Sequence, residues 1–330
     1  MRKNVSHLQR IEDCLSGNSQ NGTPVALWRH FPVDDQDPAT LAGAHLDFQR
    51  TYDFDLLKVT PASSYMAKDW GVNDEWRGAT EGTREYTRRI IKKPEDWADI
   101  PILSPSRGSL LDSLEALKII TKELGDKTPV IQTIFSPLSQ AKNLVGREQL
   151  VVHLRKFPEE IHAGLKIIAE TTMRYIEACR ETGIAGIFYA VQHAQLGILS
   201  VQEYSEFGRK YDMDVLEAAE DLWLNMLHLH GENIMFEQFV DYPVAVINWH
   251  DQDTPPSLEE ARSKYKGVVC GGLQREQTLV IGTPDTVLRE AQQALEITGG
   301  RKHILGTGCV TPTIAPRANI LAARKSVDLV

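Results

Sequence analysis

Short apolar runs recur along the chain, each closed by turn residues and followed by a longer stretch of helical periodicity. Eight such runs stand out: Pro24–Trp28, Asp55–Val59, Pro129–Phe135, Ala185–Ala190, Asn225–His230, Val244–Trp249, Gly267–Gly271 and Lys302–Leu305. They are rich in Val, Ile and Leu without polar alternation, the pattern of strands buried on both faces. The segments Thr40–Thr51, Leu110–Leu124, Phe157–Thr182, Val201–Leu222, Leu258–Lys264 and Asp285–Ile297 read as helices. Thr283 before Pro284-Asp285 marks a helix start, and Gly299-Gly300 after Ile297-Thr298 marks its stop. Strand–helix alternation repeated about eight times predicts an α/β fold, a (β/α)8 TIM barrel forming one domain over residues 1–330. The competing architecture is an open doubly wound sheet. It would need a dinucleotide-type glycine loop after the first strand, and Trp28-Arg29-His30-Phe31-Pro32 is unlike one.

One section breaks the rhythm. Tyr65–Asp99 carries Trp70-Gly71, Trp76-Arg77-Gly78 and an alternating run from Arg84 to Ile91, which predicts a small hairpin inserted after the second strand. Insertions of that kind sit over the mouth of a barrel and shape its substrate site. No internal repeat, low-complexity tract or interdomain linker is visible in the sequence.

Composition narrows the function classes. The chain has 330 residues, 42% of them hydrophobic and 25% charged, which is ample for a soluble globular core. A formal net charge of −9 and the lack of any Lys/Arg block argue against a nucleic-acid partner and against docking on anionic lipid. No apolar run approaches membrane-spanning length, and the polar start Met1-Arg2-Lys3-Asn4 lacks the apolar stretch of a signal peptide. Four cysteines, Cys14, Cys179, Cys270 and Cys309, do not form a disulfide framework in so long a chain. A reduced, cytoplasmic protein is expected.

Candidate chemistry gathers at the strand ends, where barrels of this type work. In Leu227-His228-Leu229-His230-Gly231 the two imidazoles point to one side, because side chains on a strand repeat every second residue. Gly306-Thr307-Gly308-Cys309 ends another strand and can supply a soft third ligand. Three N/S ligands with one open position is the composition of a catalytic zinc site. The alternative is that both histidines are satisfied core residues and Cys309 an inert thiol. Arg29, His30, Gln192, His193 and His250 fall on the same predicted face and are the catalytic or substrate-binding candidates, together with the strand-end residues Lys58, Thr60, Ser136, Asp251, Asp253, Gln274, Arg275 and Thr307. Their bland alternatives are loop clamps and caps: Arg29 paired with Asp34 or Asp35, His193 and Gln192 on loop backbone, and Asp251 or Asp253 at a helix start. Gly271-Gly272 reads as a tight turn after a strand, and Cys14, Cys179 and Cys270 as core. There is no nucleophile elbow and no Walker sequence.

These residues together resemble, end to end, the uroporphyrinogen decarboxylase superfamily, which also contains cobamide-dependent methyltransferases. Pro24–Arg29 resembles the opening strand, Phe135-Ser136-Pro137-Leu138 with Val145-Gly146 the Gly-Pro-Phe-Thr-Leu segment, and Leu199-Ser200 through Tyr204 and Phe207 the Leu-Ser-Pro helix start. Gly306–Pro316 with Asn319 is similar to the C-terminal segment. The resemblance implies a (β/α)8 barrel. The decarboxylase pattern is broken: Arg29 matches the first arginine of its Arg-Gln-Ala-Gly-Arg motif, but Val33 stands for the second, Pro61 for the essential Asp, Asn143 for the active-site Tyr and Thr307 for the last histidine. The methyltransferase pattern, His-x-Cys-Gly and Gly-Cys binding zinc, is matched by His228 and Cys309, with His230 where a Cys is expected. A His₂Cys set carries one negative charge fewer, which makes zinc more Lewis acidic and a bound thiolate less nucleophilic.

The resemblance thus implies a zinc-dependent methyltransferase, with metal at His228, His230 and Cys309, moving a methyl group between a methyl-corrinoid and a thiol or other small acceptor. Arg29 and His30 would hold an anionic part of that acceptor. The corrinoid would sit on a separate protein, because no Asp-x-His-x-x-Gly module is present. Two alternatives remain: a decarboxylase-type lyase acting on a tetrapyrrole or a smaller carboxylated substrate, and a non-catalytic barrel that binds a corrinoid or tetrapyrrole.

Overall fold

A computed structural model of the chain describes residues 5–18 and 20–328; the polar Met1–Asn4 start lies outside them. Among the described residues the strands are β1 Leu57–Val59, β2 Asn73–Glu75, β3 Glu85–Arg88, β4 Val130–Phe135, β5 Gly186–Val191, β6 Met226–Leu229, β7 Val246–Trp249, β8 Val268–Leu273 and β9 His303–Thr307. Seven of them pair in the order β1-β4-β5-β6-β7-β8-β9, parallel throughout. Every residue of these seven is buried, so the continuous apolar runs of the sequence are strands covered on both faces.

The sheet curls, and its two ends meet the first apolar run. Val25 makes a parallel bridge to Leu305 of β9, and its carbonyl accepts the Asp55 N–H just before β1. Pro24–Trp28, expected as a full strand, contributes this single bridge. The reason is local. Pro24 has no N–H, and the Val25 N–H goes to the Asp55 carboxylate at 2.8 Å instead of to a neighbouring strand. Asp55 is held in turn by Arg10 at 2.6 Å, with both side chains buried.

Helices cover the outside. The segment from Thr283 is a helix over Pro284–Thr298, capped by the Thr283 side chain and ended by Gly299 at φ 60°. The expected long helix Val201–Leu222 is instead broken into Val201–Tyr204, a π-helical turn over Ser205–Arg209, and Lys210–Glu217. Tyr204 packs over Gly208, where any Cβ would sit 2.5 Å from its ring, and its hydroxyl reaches Asp212. Asp212 is wholly buried and accepts three tyrosine hydroxyls, from Tyr189 at 2.6 Å, Tyr204 at 2.5 Å and Tyr242 at 2.9 Å. That side-chain network displaces the regular helix. Helices His7–Ser16, Pro137–Val145, Arg147–Lys156 and Arg317–Ser326 complete the cover and were not anticipated from periodicity. Among the described residues, no helix is long and apolar enough to cross a membrane.

Within Tyr65–Asp99, β2 and β3 pair antiparallel. The residues between them reach across to the loops after β8 and β9: the Thr80 carbonyl accepts both the N–H and the hydroxyl of Thr313, and Glu81 forms an ion pair with Arg275.

Candidate metal centre

Parallel register sets the site. Ala190, His228, Asn248 and Cys270 are laterally paired across β5 to β8, so their side chains share a face. His230 and His250, two residues beyond His228 and Asn248, repeat that face past the strand ends. Cys309 arrives from the loop after β9. Gly308 permits the approach, since a Cβ there would lie 2.5 Å from the His250 Cα. The result is a group of His228, His230, His250 and Cys309 whose ligand atoms all lie within 4.8 Å of one another. His250 was expected as a catalytic neighbour; the structure puts it inside the group.

The contacts suit a tetrahedral ion. His230 Nδ1 is 3.3 Å from His250 Nε2 and 3.7 Å from Cys309 Sγ. The edges of a zinc tetrahedron with N and S donors are about 3.3–3.6 Å. At the other end, His228 Nδ1 is 2.7 Å from Asn248 Oδ1. The amide orientation is fixed, because Asn248 Nδ2 donates to the Cys270 carbonyl at 2.9 Å and the Thr307 carbonyl at 3.0 Å. Nδ1 of His228 must therefore carry the hydrogen, which leaves Nε2 as the free lone pair. Phe188 stacks on the His228 ring at 5.2 Å and fixes its plane.

Burial lowers His230 to about 4 and His228 well below its ordinary value, which keeps these two imidazoles neutral. For Cys309 burial alone would raise the thiol, but the hydrogen bond and charge of His250 and the Arg275 cation outweigh it and leave the pKa lowered. Three imidazole nitrogens and one activated sulfur fit zinc by donor chemistry. The other thiols are core: burial raises Cys14 to about 12 and pushes Cys179 and Cys270 up as well.

The other expected residues divide. His193 and Gln192 line one cavity with His230, and both keep a buried ring or amide atom without a partner, so neither is a loop cap. His30 is buried beside the turn at Gly82, its Nδ1 unpartnered, and burial lowers it to about 3. Arg29 does not join the group. It lies over Phe31 and Phe48 and faces a separate cavity with Tyr52 and Arg317. Its neighbours Trp28 and His30 are the buried residues here. Nor does Arg29 clamp Asp35, which pairs with Arg84 at 3.3 Å. Asp251 starts no helix; Ser257 caps Leu258–Lys264, while Asp251 accepts the Gly272 N–H at 2.9 Å. Gly271-Gly272 belongs to β8 and is no turn, leaving room for the Asp251 carboxylate.

Several residues were missed or underweighted. Asn248 is hidden inside an apolar run, but a polar residue in a doubly buried strand needs partners, and its offset of two from His250 gives its face. Lys58 is wholly interior, its ammonium 4.4 Å from the Phe188 ring, and burial lowers it to about 7. Lys142 and Arg147 lie on helices that periodicity did not resolve.

Comparison with known proteins agrees with this architecture. The uroporphyrinogen decarboxylase (URO-D) family model matches residues 29–329. A methylcobamide:CoM methyltransferase, MtbA, of Methanosarcina acetivorans is 22% identical over 89% of this chain and 85% of its own length. A uroporphyrinogen decarboxylase of Sorangium cellulosum is 27% identical over 66% of this chain and 62% of its own. Among solved structures, a methyltransferase from Methanosarcina mazei superposes with TM-score 0.86 over 99% of both chains at 19% identity. The B12-independent methionine synthase of Shewanella sp. W3-18-1 superposes with TM-score 0.59 over 93% of both, at 12% identity. With a family match spanning nearly its whole length, the chain belongs to the uroporphyrinogen decarboxylase (URO-D) family of enzymes.

Proposed function

We propose that this protein is a methyltransferase that moves a methyl group from a corrinoid donor to a small thiol acceptor, at a zinc ion held by His228, His230 and Cys309. The observation that carries the reading is the convergence of three imidazoles and one thiol within 4.8 Å. The activity of the relative MtbA, methylcobamide:CoM methyl transfer, supports it.

Bound zinc supplies a Lewis acid that lowers the pKa of an acceptor thiol. The rest is the work of this chain's own groups. Asn248 holds His228 in the Nδ1–H tautomer, and Phe188 keeps its ring in plane. His250 lies beside His228, His230 and Cys309, its Nδ1 facing Asp253 at 3.8 Å, where Nε2 can take the thiol proton. A methyl-corrinoid presented at the mouth would supply the methyl group that the acceptor sulfur takes. Gln192 and His193 orient the acceptor from the cavity beside His230. His30 and the Lys58 ammonium face the interior below.

The donor is carried by a separate corrinoid protein. Val33, Trp76, Leu196 and Ile314, exposed apolar residues in loops beyond the strand ends and in the hairpin, suit a protein partner at the mouth. We read Pro24–Trp28 as the eighth stave closing a one-domain barrel over residues 1–330, with residues 65–99 as the insert over its mouth. Four free thiols suit a cytoplasmic setting.

The test is methylation of a thiol by free methylcobalamin with zinc-loaded protein, followed by mass spectrometry of the thioether. Zinc-dependent turnover lost in Cys309→Ala is expected. Zinc loading without turnover on any thiol contradicts the reading.

A further inference from the structure

The hairpin insert is fastened at two levels. Its base is held by buried charge: the Arg84 guanidinium reaches the Pro32 carbonyl at 2.9 Å and pairs with Asp35 at 3.3 Å and with Asp74, and both carboxylates are buried. Its tip is the turn 79–82, closed by the Gly82 N–H on the Ala79 carbonyl. The tip reaches three other segments. Gly82, at φ 77°, lies so close to His30 that a Cβ would stand 2.5 Å from the His30 Cβ, so glycine is what lets the tip seat there. The Thr80 carbonyl accepts the N–H and the hydroxyl of Thr313 at 2.7 and 2.9 Å. Glu81 pairs with Arg275, two residues beyond the end of β8.

Arg275 is where the tip meets the metal group. One guanidinium nitrogen, Nη2, holds Glu81, while Nη1 donates to the carbonyl of Val310, next in sequence to Cys309, at 3.3 Å. On the other side the Cys309 carbonyl accepts the Thr307 hydroxyl at 2.6 Å. The Cys309 segment is thus gripped from β9 at one end and, through Arg275, from the insert at the other. The Arg275 side chain is 12% exposed, whereas that of Glu81 is 33% exposed. Pairs at the base are dry and the pair at the tip is partly solvated, so the tip is the part that can release.

We propose that Arg275 is a positioning residue that latches the hairpin tip onto the Cys309 loop, so that the insert closes the Cys309 side of the mouth and holds the sulfur in place. The proposal deepens the metal-centre reading and rests on it for what the sulfur does. No residue of the tip lines the cavity beside His230, which Gln192 and His193 wall. Small molecules therefore keep an entrance while the tip is down. Anything larger reaches Cys309 only when Glu81 releases Arg275.

Alkylation of Cys309 in the full-length, metal-free chain tests the latch without zinc or turnover. Iodoacetamide serves as the small reagent and a pyrene-bearing maleimide as the bulky one, with both rates read at the Cys309 peptide by mass spectrometry. Each reagent attacks the thiolate, so the ratio of rates cancels a change in Cys309 acidity and reports access. Glu81→Gln and Arg275→Met should each raise the bulky-to-small ratio about tenfold, the change expected for loss of one charge-assisted contact. Arg275→Lys should bring the ratio back toward wild type. In the Co(II)-loaded protein, Arg275→Met should also shift the thiolate charge-transfer band. Tyr204→Phe, which lowers stability through Asp212, should alter neither ratio nor band. A ratio unchanged in Glu81→Gln and Arg275→Met, or raised equally in Tyr204→Phe, overturns the latch, and a band that stays put in Arg275→Met overturns its hold on the sulfur. The ratio needs neither metal nor methyl transfer, so the latch and the methyltransferase reading fail separately.

Discussion

Asn248→Ala is the most informative single substitution outside the metal group. Asn248 is fully buried and makes three hydrogen bonds: it accepts from His228 Nδ1–H at 2.7 Å and donates to the Cys270 and Thr307 carbonyls. Alanine leaves the His228 N–H without a partner, a loss of about 1–3 kcal/mol, and deprives two carbonyls of a donor at about 1 kcal/mol each. Together these come to about 3–5 kcal/mol, and the small cavity left behind adds to that. A chain of this size survives that loss at 25 °C only if its margin is ordinary, so stability is measured first, by urea unfolding. The second effect is specific to the site. His228 becomes free to rotate and to switch tautomer, and removal of such an outer partner weakens metal binding by about 10–100-fold. Competition for zinc against a chromophoric chelator reads that change in the folded variant. If Asn248→Ala folds and binds zinc as tightly as wild type, His228 is not a ligand through Nε2 and the reasoning fails.

Further outcomes follow from the same contacts. His250→Ala should retain most of the zinc but lower methyl transfer to thiols, checked by metal analysis beside turnover; loss of zinc equal to that in His228→Ala would make His250 a ligand and not a base. Tyr204→Phe removes one hydroxyl from the buried Asp212 carboxylate and should destabilise the protein by about 1.5–3 kcal/mol without changing zinc content. Burial, against the three tyrosine hydroxyls, raises Asp212 from 3.8 to about 6, so the folded state binds this proton more tightly than the unfolded chain. Its contribution to stability is therefore fullest below pH 4, falls by roughly 3 kcal/mol up to pH 6, and is flat above. Denaturation of wild type and Asp212→Asn at pH 4.5 and 6.5 should show the slope in the first and its loss in the second. Uroporphyrinogen should not be decarboxylated at a useful rate, because Pro61 can neither ionise nor donate and each placed polar group is worth roughly 3–4 kcal/mol in such a reaction. Asp69 is not available as a substitute, since it holds the Ser109 and Leu110 N–H groups at the start of Gly108–Leu124. Coproporphyrinogen formation in an anaerobic assay would refute this.

Seven of the eight apolar runs lie on the strands of the sheet, because a strand buried on both faces advertises itself by composition alone. Pro24–Trp28 did not follow, since the Asp55 carboxylate that captures the Val25 N–H is a long-range contact with no local signature. The π turn at Ser205–Arg209 has the same origin: Asp212 and its tyrosines come from separate elements. His228, His230 and Cys309 were legible because period-two spacing and a glycine-flanked cysteine fix a face and a strand end. His250 in the same group, Asn248 behind it and the outward Arg29 depended on register between strands and on where each strand stops. Lys142 lies on a helix whose apolar spacing is masked by nearly continuous burial over 137–145, and Arg147 opens a separate helix in which Leu150, His153 and Leu154 are buried.

Cobalt substitution tests the central claim most directly. Co(II) in the site should give an intense thiolate-to-metal charge-transfer band in the near ultraviolet at one equivalent per chain. Cys309→Ala should abolish the band and His228→Ala should weaken cobalt binding, with both variants folded. Stoichiometric cobalt without a thiolate band, or a band that persists in Cys309→Ala, would contradict a metal centre built from His228, His230 and Cys309.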